Sequence, residues 1–338
     1  MSTMPLPQQS KSTARLQSQR PALQLVSTKR LDRVQWLAIR KQGIGSSDAA
    51  AAVGLNPYYS PLELWMVKTG RDQALPQVDP NDDSSPLYWG TLLEAVVASH
   101  YSKRTGNKVR RINAVLRHPE LPWMLANIDR EVVGSDEVSL LECKTAGMNG
   151  AKLWREGVPE YVQLQVQHQL AVTGKAAADV AVLICGQELR IHRIDRDQGL
   201  IDSLIRLEAA FWHFVETDTP PPADGSESAE LALRCLYPQD LGTTLDFTQD
   251  RTLSATFADW INVRATLAEQ EKVEAQLKQT LQQAMGDASR AVFETGEVSW
   301  KKSKDGTTID LPRLLQDHPA LATQYRISKP GSRRFIVL

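Results

Sequence analysis

Glu142-Cys143-Lys144 is the only Glu-x-Lys in the chain, and it closes an apolar run containing Val138, Leu140 and Leu141. On a strand, residues two apart share a face, so Glu142 and Lys144 project together while Cys143 turns away. Upstream, Gly134-Ser135-Asp136-Glu137 reads as a hairpin turn. A loop centred between Ser135 and Asp136 sets Asp129 directly opposite Glu142, with Cβ atoms roughly 4.5–5.5 Å apart. Carboxylates that close repel each other unless one is protonated or a cation lies between them. Oxygen ligands from carboxylates and a backbone carbonyl suit Mg²⁺ or Mn²⁺ rather than zinc. A lysine beside such a site can orient or help deprotonate an attacking water, while the metal polarises a phosphoryl oxygen. A buried Asp/Glu/Lys ion cluster with no catalytic task fits the same spacing. A register slipped by one residue would separate the two acids altogether.

These side chains need elements to position them. Order is expected from about Leu31, with Asp32 capping a helix that carries Val34, Trp36, Leu37 and Arg40. Gly43-Ile44-Gly45-Ser46-Ser47-Asp48 then turns into an alanine-rich helix ending near Gly54, and a second helix spans Pro61 to Gly70. Residues 72–86, with Pro76, Pro80 and Pro86, read as a solvated loop. Leu92, Leu93, Val96, Val97 and Tyr101 recur with helical period up to Gly106. Lys108–Leu116, Met124–Val133 and Val138–Lys144 read as three strands. Pro159 opens a helix running to Gly174, Ala178–Cys185 and Glu188–Ile194 form a strand pair, and a helix over 197–216 ends before Pro220-Pro221-Pro222. The order predicts an α/β (α+β) core with a central sheet flanked by helices. The expected organisation is a flexible basic arm over 1–30, a catalytic domain over 31–217, a linker over 218–253 and a C-terminal extension over 254–338. That extension holds a long charged helix and short strands around Glu297–Lys302 and Arg333–Val337.

Composition narrows the class. The 338 residues are 42% hydrophobic and 23% charged, as in a soluble globular protein. Lys plus Arg (39) nearly balance Asp plus Glu (40), for a net charge of −1, which excludes a globally basic nucleic-acid coat but not a basic channel on a neutral body. Three well-separated cysteines, Cys143, Cys185 and Cys235, build neither a disulfide framework nor a Cys-rich zinc site, so a reducing cytoplasm is expected. No run of about 18 apolar residues marks a membrane span, and the N-terminal stretch lacks a secretory apolar core. Residues 1–31 carry five basic residues and no acidic one, and read as a mobile arm or an untethered tail.

Six ordered segments carry a resemblance: Gly45-Ser46-Ser47-Asp48-Ala49-Ala50, Leu55-Asn56-Pro57-Tyr58, Trp89-Gly90-Thr91-Leu92-Leu93-Glu94, Leu125-Ala126-Asn127-Ile128-Asp129-Arg130, Leu141-Glu142-Cys143-Lys144-Thr145 and Gln165-Val166-Gln167-His168. Over about residues 31–217 the chain resembles the YqaJ-type viral recombinase nucleases, relatives of lambda exonuclease in the PD-(D/E)xK superfamily. The resemblance implies a restriction-endonuclease-like core and an Mg²⁺-dependent exonuclease, with Mn²⁺ as substitute. That enzyme degrades duplex DNA from 5′ to 3′, leaving 3′ tails for a single-strand annealing or strand-exchange partner, in the cytoplasm of a bacterium or phage-infected host. It matches Asp129 to the metal-binding Asp, Glu142 and Lys144 to the ExK pair, Glu94 to the acid of the preceding helix and Gln165 to the glutamine after the catalytic strand. It implies the main-chain carbonyl of Cys143 as a further metal ligand. Ile128 replaces the proline of the motif name, and His168 stands where lambda exonuclease has a tyrosine. A ring trimer like that of lambda exonuclease is a further implied assembly.

Arg40, Ser46 and Ser47 resemble the family's pocket for a DNA 5′-phosphate, Ser47 fitting better by its spacing from Arg40. The physics agrees, since a glycine turn entering a helix offers N–H groups to an anion and arginine offers bidentate charge; an ordinary capping serine beside a solvated arginine is the alternative. Lys103, Arg104, Lys108, Arg110, Arg111 and Arg117 could follow a phosphate backbone or merely face water. The six histidines lack ligand spacing, so His168 and His192 are expected to be hydrogen-bonded structural residues. Trp89 and Trp123 are expected in the core, and the Cys143 side chain as buried filler. Two other functions fit parts of the sequence. One is an endonuclease of the same superfamily; the other is a non-catalytic helix-turn-helix DNA binder built on Ser46–Leu55.

Overall fold

The computed structural model describes residues 22–77, 79–329 and 331–337. Among these, the residues up to Pro238 form one compact unit and those from Gln239 onward a second. Most of the expected basic arm, residues 1–21, lies outside the described residues. Its last part is not an arm: β1 (Leu23–Ser27) pairs antiparallel with β3 (Ala114–Arg117), so order starts before Leu31.

In the first unit Asp32 caps α1 (Arg33–Arg40) as expected, its carboxylate accepting from the Gln35 N–H at 2.8 Å. A single 3₁₀ turn, Ser46–Asp48, leads into the four-residue α2 (Ala49–Ala52), and α3 spans Pro61–Lys68. The long α4 (Pro86–Thr105) ends at Gly106, whose φ of 78° is the left-handed cap that glycine adopts without strain. The two long strands expected next are each broken. Lys108–Leu116 splits into β2 (Lys108–Arg111) and β3, and Met124–Val133 into β4 (Leu125–Ala126) and β5 (Arg130–Val133). In both cases the two halves join different sheets: β1-β3-β4 form one, and β2-β5-β6-β7-β8 the other.

The central sheet is completed by β6 (Leu140–Ala146), β7 (Ala177–Ile184) and β8 (Glu188–Asp195), with α5 (Met148–Ala151), α6 (Glu160–Thr173) and α7 (Gln198–Glu216) between and after them. It is a mixed sheet. β6 and β7 run parallel, as a strand–helix–strand crossover through α6 requires, and the other neighbours run antiparallel. Arg130 faces Leu141 and Glu131 faces Leu140, the register expected from the turn at Ser135-Asp136.

Helices cover both faces of this sheet. On one, Val162, Val166 and Leu170 of α6 pack with Leu140, Val180 and Val182. On the other, Val97, Ala98 and Tyr101 of α4 pack with Val132, Leu141 and Ala181. The alternation expected for β6 follows: Leu141 and Cys143 face α4, while Leu140 faces α6.

The stretch expected as a linker holds α8 (Glu227–Leu236), which buries Ala229 and Ala232. The Ser60 N–H donates to Ser228 Oγ at 2.8 Å, tying α8 to the start of α3. The break between units falls after Pro238, within the stretch expected as a linker but past the triple proline. The second unit contains α9 (Arg251–Met285), a hairpin of β9 (Arg290–Phe293) and β10 (Gly296–Ser299), and the short α10 (Leu311–Asp317) and α11 (Pro319–Gln324). Arg333–Val337 forms no strand.

Candidate active site

A cleft of about 350 Å³ in the first unit is lined by all nine residues singled out from the sequence: Arg40, Ser46, Ser47, Glu94, Asp129, Glu142, Cys143, Lys144 and Gln165. They arrive from α1, the Ser46 turn, α4, the bend before β5, β6 and α6. Gly43 makes that convergence possible. The Ile44 N–H donates to the Trp123 carbonyl at 2.7 Å and the Leu125 N–H to the Ile44 carbonyl at 2.9 Å, pinning the serine turn beside β4. A Cβ on residue 43 would sit 2.3 Å from the Trp123 carbonyl oxygen, so only glycine permits the approach.

At one end of the cleft stand the acids. Asp129 lies in the bend just before β5, and its Oδ2 accepts from the Cys143 N–H at 2.9 Å. Glu142, buried on the α6 face, accepts from Gln165 Nε2 at 2.6 Å, Gln169 Nε2 at 2.7 Å and Lys144 Nζ at 2.8 Å. Lys144 also donates to Gln165 Oε1 at 2.9 Å, so Gln165 braces acid and amine together. Burial would strip Lys144 of its proton, but Glu142 outweighs it and holds the ammonium above its ordinary range. The Asp129 carboxyl is pushed up to about 8, first by burial and then by Glu142, against the opposing Cys143 N–H and Lys144. Burial likewise raises the Cys143 thiol, which keeps it neutral and leaves it as filler rather than a nucleophile.

Glu94 is drawn aside. Arg130, almost buried, donates to Glu94 Oε1 at 2.5 Å and to the Asp129 carbonyl at 2.6 Å. Among the described residues no three Asp, Glu, His or Cys side chains close into a metal cage. Asp129 and Glu142 come together, and Glu94, which the resemblance implies as a further metal ligand, lines the same cleft while paired with Arg130. A hard divalent ion fits that pair: the donors are all oxygen, the acids repel each other, and Mg²⁺ is commonly held by one or two carboxylates plus water and substrate phosphate.

The other end is cationic. Arg40 stacks over the Trp36 ring at 4.9 Å, donates to Ser47 Oγ at 2.8 Å and pairs with Asp48 at 2.6 Å. Asp48 also takes a 2.6 Å contact from the buried Lys68 and a 3.1 Å hydrogen bond from the Gly45 N–H. Burial raises the Asp48 carboxyl, yet Arg40 and Lys68 outweigh it and hold it at about 2. Ser46 Oγ is buried at the cleft with no hydrogen-bond partner. The helix expected to follow the serine turn is short. One 3₁₀ turn and four helical residues sum to almost no dipole, so the positive character rests on side chains.

Asp48, Lys68, Gln169 and Arg130 were missed as site residues. Gln169 was visible as a second glutamine four positions after Gln165, on the same helix face; Asp48 stood inside a quoted motif, and Lys68 and Arg130 gave no signal. His168 is structural as expected, its ring nitrogens 2.7 Å from Glu208 Oε1 and 2.8 Å from the Leu125 carbonyl. Trp89 departs from expectation: it is exposed, its indole N–H donating to the Asp83 carbonyl at 2.7 Å. Arg110 is engaged by Glu131, and Arg104 by the Leu189 carbonyl. After α2 the next helix, α3, buries Leu62, Leu64, Trp65 and Met66 and offers no recognition face.

Residues 35–176 match the YqaJ-like viral recombinase domain. The chain is also 35% identical over 301 residues to the uncharacterized protein YqaJ of Bacillus subtilis (strain 168), covering 87% of this chain and 91% of that one. The chain belongs to the YqaJ family. Among solved structures, this YqaJ-family chain is similar to an alkaline exonuclease (LHK-Exo) from Laribacter hongkongensis, with 22% identity and a TM-score of 0.46 over 55% of this chain and 93% of that chain. It is also similar to a phage-related exonuclease from Haemophilus somnus 129PT, at 13% identity and a TM-score of 0.36, over 52% and 94% of the two chains. Among the described residues of the YqaJ-family chain, no helix is long and apolar enough to cross a membrane.

Proposed function

We propose that this protein is a divalent-metal-dependent deoxyribonuclease that resects duplex DNA ends from the 5′ side, leaving 3′ single strands for an annealing or strand-exchange partner. The observation that carries the reading is the two-ended cleft: paired acids and a lysine at one end, arginine and serines at the other, within a single cavity of about 350 Å³. A terminal nucleotide has the same polarity of needs, a 5′-phosphate to be gripped and a phosphodiester to be cut.

Asp129 and Glu142 would hold the ion, which supplies Lewis-acid polarisation of the scissile phosphoryl group when bound. The Cys143 N–H, next to Glu142 on β6, donates to Asp129, and its carbonyl would serve as a further oxygen ligand. The remaining work falls to protein groups. Gln165 and Gln169 fix the Glu142 carboxylate, so its oxygens need no reorganisation during the reaction. Lys144, held as an ammonium, donates hydrogen bonds toward the attacking water and the developing phosphoryl charge, and so orients the water rather than taking its proton. Arg40 and Ser47, with the unpartnered Ser46 hydroxyl, receive the 5′-phosphate. Glu94 keeps Arg130 in place behind Asp129.

The test is digestion of linear duplex carrying 5′-phosphate or 5′-hydroxyl ends, with Mg²⁺, Mn²⁺ or EDTA. Resection is expected only with a divalent ion, faster from 5′-phosphate ends, and abolished in Lys144→Ala. Full Mg²⁺-dependent digestion by purified Lys144→Ala protein would refute the assignment, and cutting of closed circular DNA would shift it to an endonuclease.

A further inference from the structure

The phosphate end of the cleft contains more charge than touches it. Asp48 is a single carboxylate shared by two cations, one oxygen 2.6 Å from Arg40 Nη2 and the other 2.6 Å from Lys68 Nζ. The two cations differ in access. The Arg40 side chain is 25% exposed and lines the cleft, whereas the Lys68 side chain is 2% exposed and lies behind it. Lys68 spends a second donor on the main-chain carbonyl of Arg40 itself, at 2.8 Å. Lys41 and Asp72, which line the same small cavity as Asp48 and Lys68, pair with each other at 2.7 Å and add no net charge.

We infer that Lys68 is a positioning and specificity-determining residue for a terminal phosphate, acting through Asp48 and Arg40 without touching the ligand. The reasoning is electrostatic. An Arg40–Asp48 pair alone is neutral and has no net attraction for an anion. Adding Lys68 makes the cluster carry one positive charge, and because Lys68 is sealed from solvent, that charge is expressed at the exposed guanidinium. The arrangement also fixes where Arg40 points, since Asp48 holds its Nη2 and Lys68 holds its backbone. Burial and Arg40 lower the Lys68 ammonium while Asp48 supports it, and the same two cations hold the Asp48 carboxyl down, as the 2.6 Å contacts on both its oxygens require.

The inference rests on the phosphate-gripping reading of this end of the cleft, and the experiment separates the two. Initial rates on linear duplex with 5′-phosphate and with 5′-hydroxyl ends are compared for the full-length wild type, Lys68→Met, Lys68→Arg and the double variant Lys68→Met/Asp48→Asn, each first checked for folding by thermal melting. The phosphate-to-hydroxyl ratio should fall about tenfold in Lys68→Met, the size of one charge-assisted hydrogen bond, and the loss should appear in KM. Lys68→Arg keeps the charge and should keep most of the ratio. The double variant removes both buried ions and restores one net positive charge at Arg40, so it should recover the ratio; a role in shape alone would leave it as poor as Lys68→Met. A folded Lys68→Met protein with the wild-type ratio, or a double variant without recovery, overturns the inference. A wild type indifferent to the 5′-phosphate overturns the pocket reading on which it stands.

Discussion

Two buried aspartates at opposite ends of one site are driven in opposite directions. Asp129 shares its surroundings with Glu142 and Glu94 and is pushed up to about 8; Asp48 sits between Arg40 and Lys68 and is held at about 2. Asp48 is buried and Asp129 partly so, desolvation works against the charge of each, and the difference lies in the neighbours. One end has too little positive charge for its acids and the other has more than its acid can cancel. A site built that way suits the proposed divalent cation at one end and the proposed terminal phosphate at the other. A third buried acid, Glu208, calibrates the contrast. It meets one histidine, His168, at 2.7 Å, and Glu208 outweighs the burial that would otherwise keep the imidazole neutral. That pair matches one acid to one base, although Glu208 Oε2 itself is buried without a hydrogen-bond partner.

The contrast breaks most sharply at Asp129. Asp129→Asn should lower resection by about 10³-fold or more while raising thermal stability in EDTA, by roughly 5 °C at pH 9. The sign follows from the shift. A carboxyl whose folded value lies above its ordinary 3.8 contributes stability below that value and loses it as pH rises through about 8. The asparagine does not titrate, so its advantage over wild type should grow between pH 6 and pH 9. Melting curves in EDTA at the two pH values check this, and a variant less stable than wild type at pH 9 would show that the acids are not in electrostatic conflict.

The balanced pair predicts the reverse. Glu208→Ala strands a buried imidazolium and should cost about 3–5 kcal/mol, seen as a fall in Tm of roughly 10 °C. Replacing both partners, His168→Phe with Glu208→Leu, should recover much of it. If Glu208→Ala melts within a degree or two of wild type, the pair holds no charge and cannot serve as the neutral reference.

Much of this arrangement was legible in the sequence because local rules decide it. The β6 alternation follows from strand geometry, and the pairing of Arg130 with Leu141 follows from a turn centred on Ser135-Asp136, so Asp129 and Glu142 could be brought together before any fold was known. What stayed hidden depends on contacts between distant segments. Nothing local to Lys68 says that α3 delivers its ammonium to Asp48, twenty positions earlier, and nothing local to Arg130 says that it will occupy Glu94. The splitting of 124–133 into β4 and β5 is of the same kind. The Ile44–Met124 bridge pulls β4 toward the serine turn, a tertiary demand that overrides a continuous strand propensity. The α8 helix was missed because the triple proline suggested a boundary, while the packing of Ala229 and Ala232 is invisible without the partner helix.

The smallest effect expected is also the most local. Glu142 is held by two glutamines from one helix face, Gln165 on Oε1 and Gln169 on Oε2. They are not equivalent, because Gln165 also accepts from Lys144 whereas Gln169 spends its remaining contact on the Asn127 carbonyl, at 3.3 Å. Gln169→Leu should therefore lower activity or Mn²⁺ affinity by about tenfold, the usual cost of losing a group that orients a ligand, and leave the pH dependence of turnover in place. Gln165→Leu should lose more, because it frees the lysine as well as the acid. Mn²⁺ titrations of both variants beside turnover measurements distinguish the two roles. Equal losses in both would mean that the Lys144 contact adds nothing, and that Glu142 alone sets how the acidic end is organised.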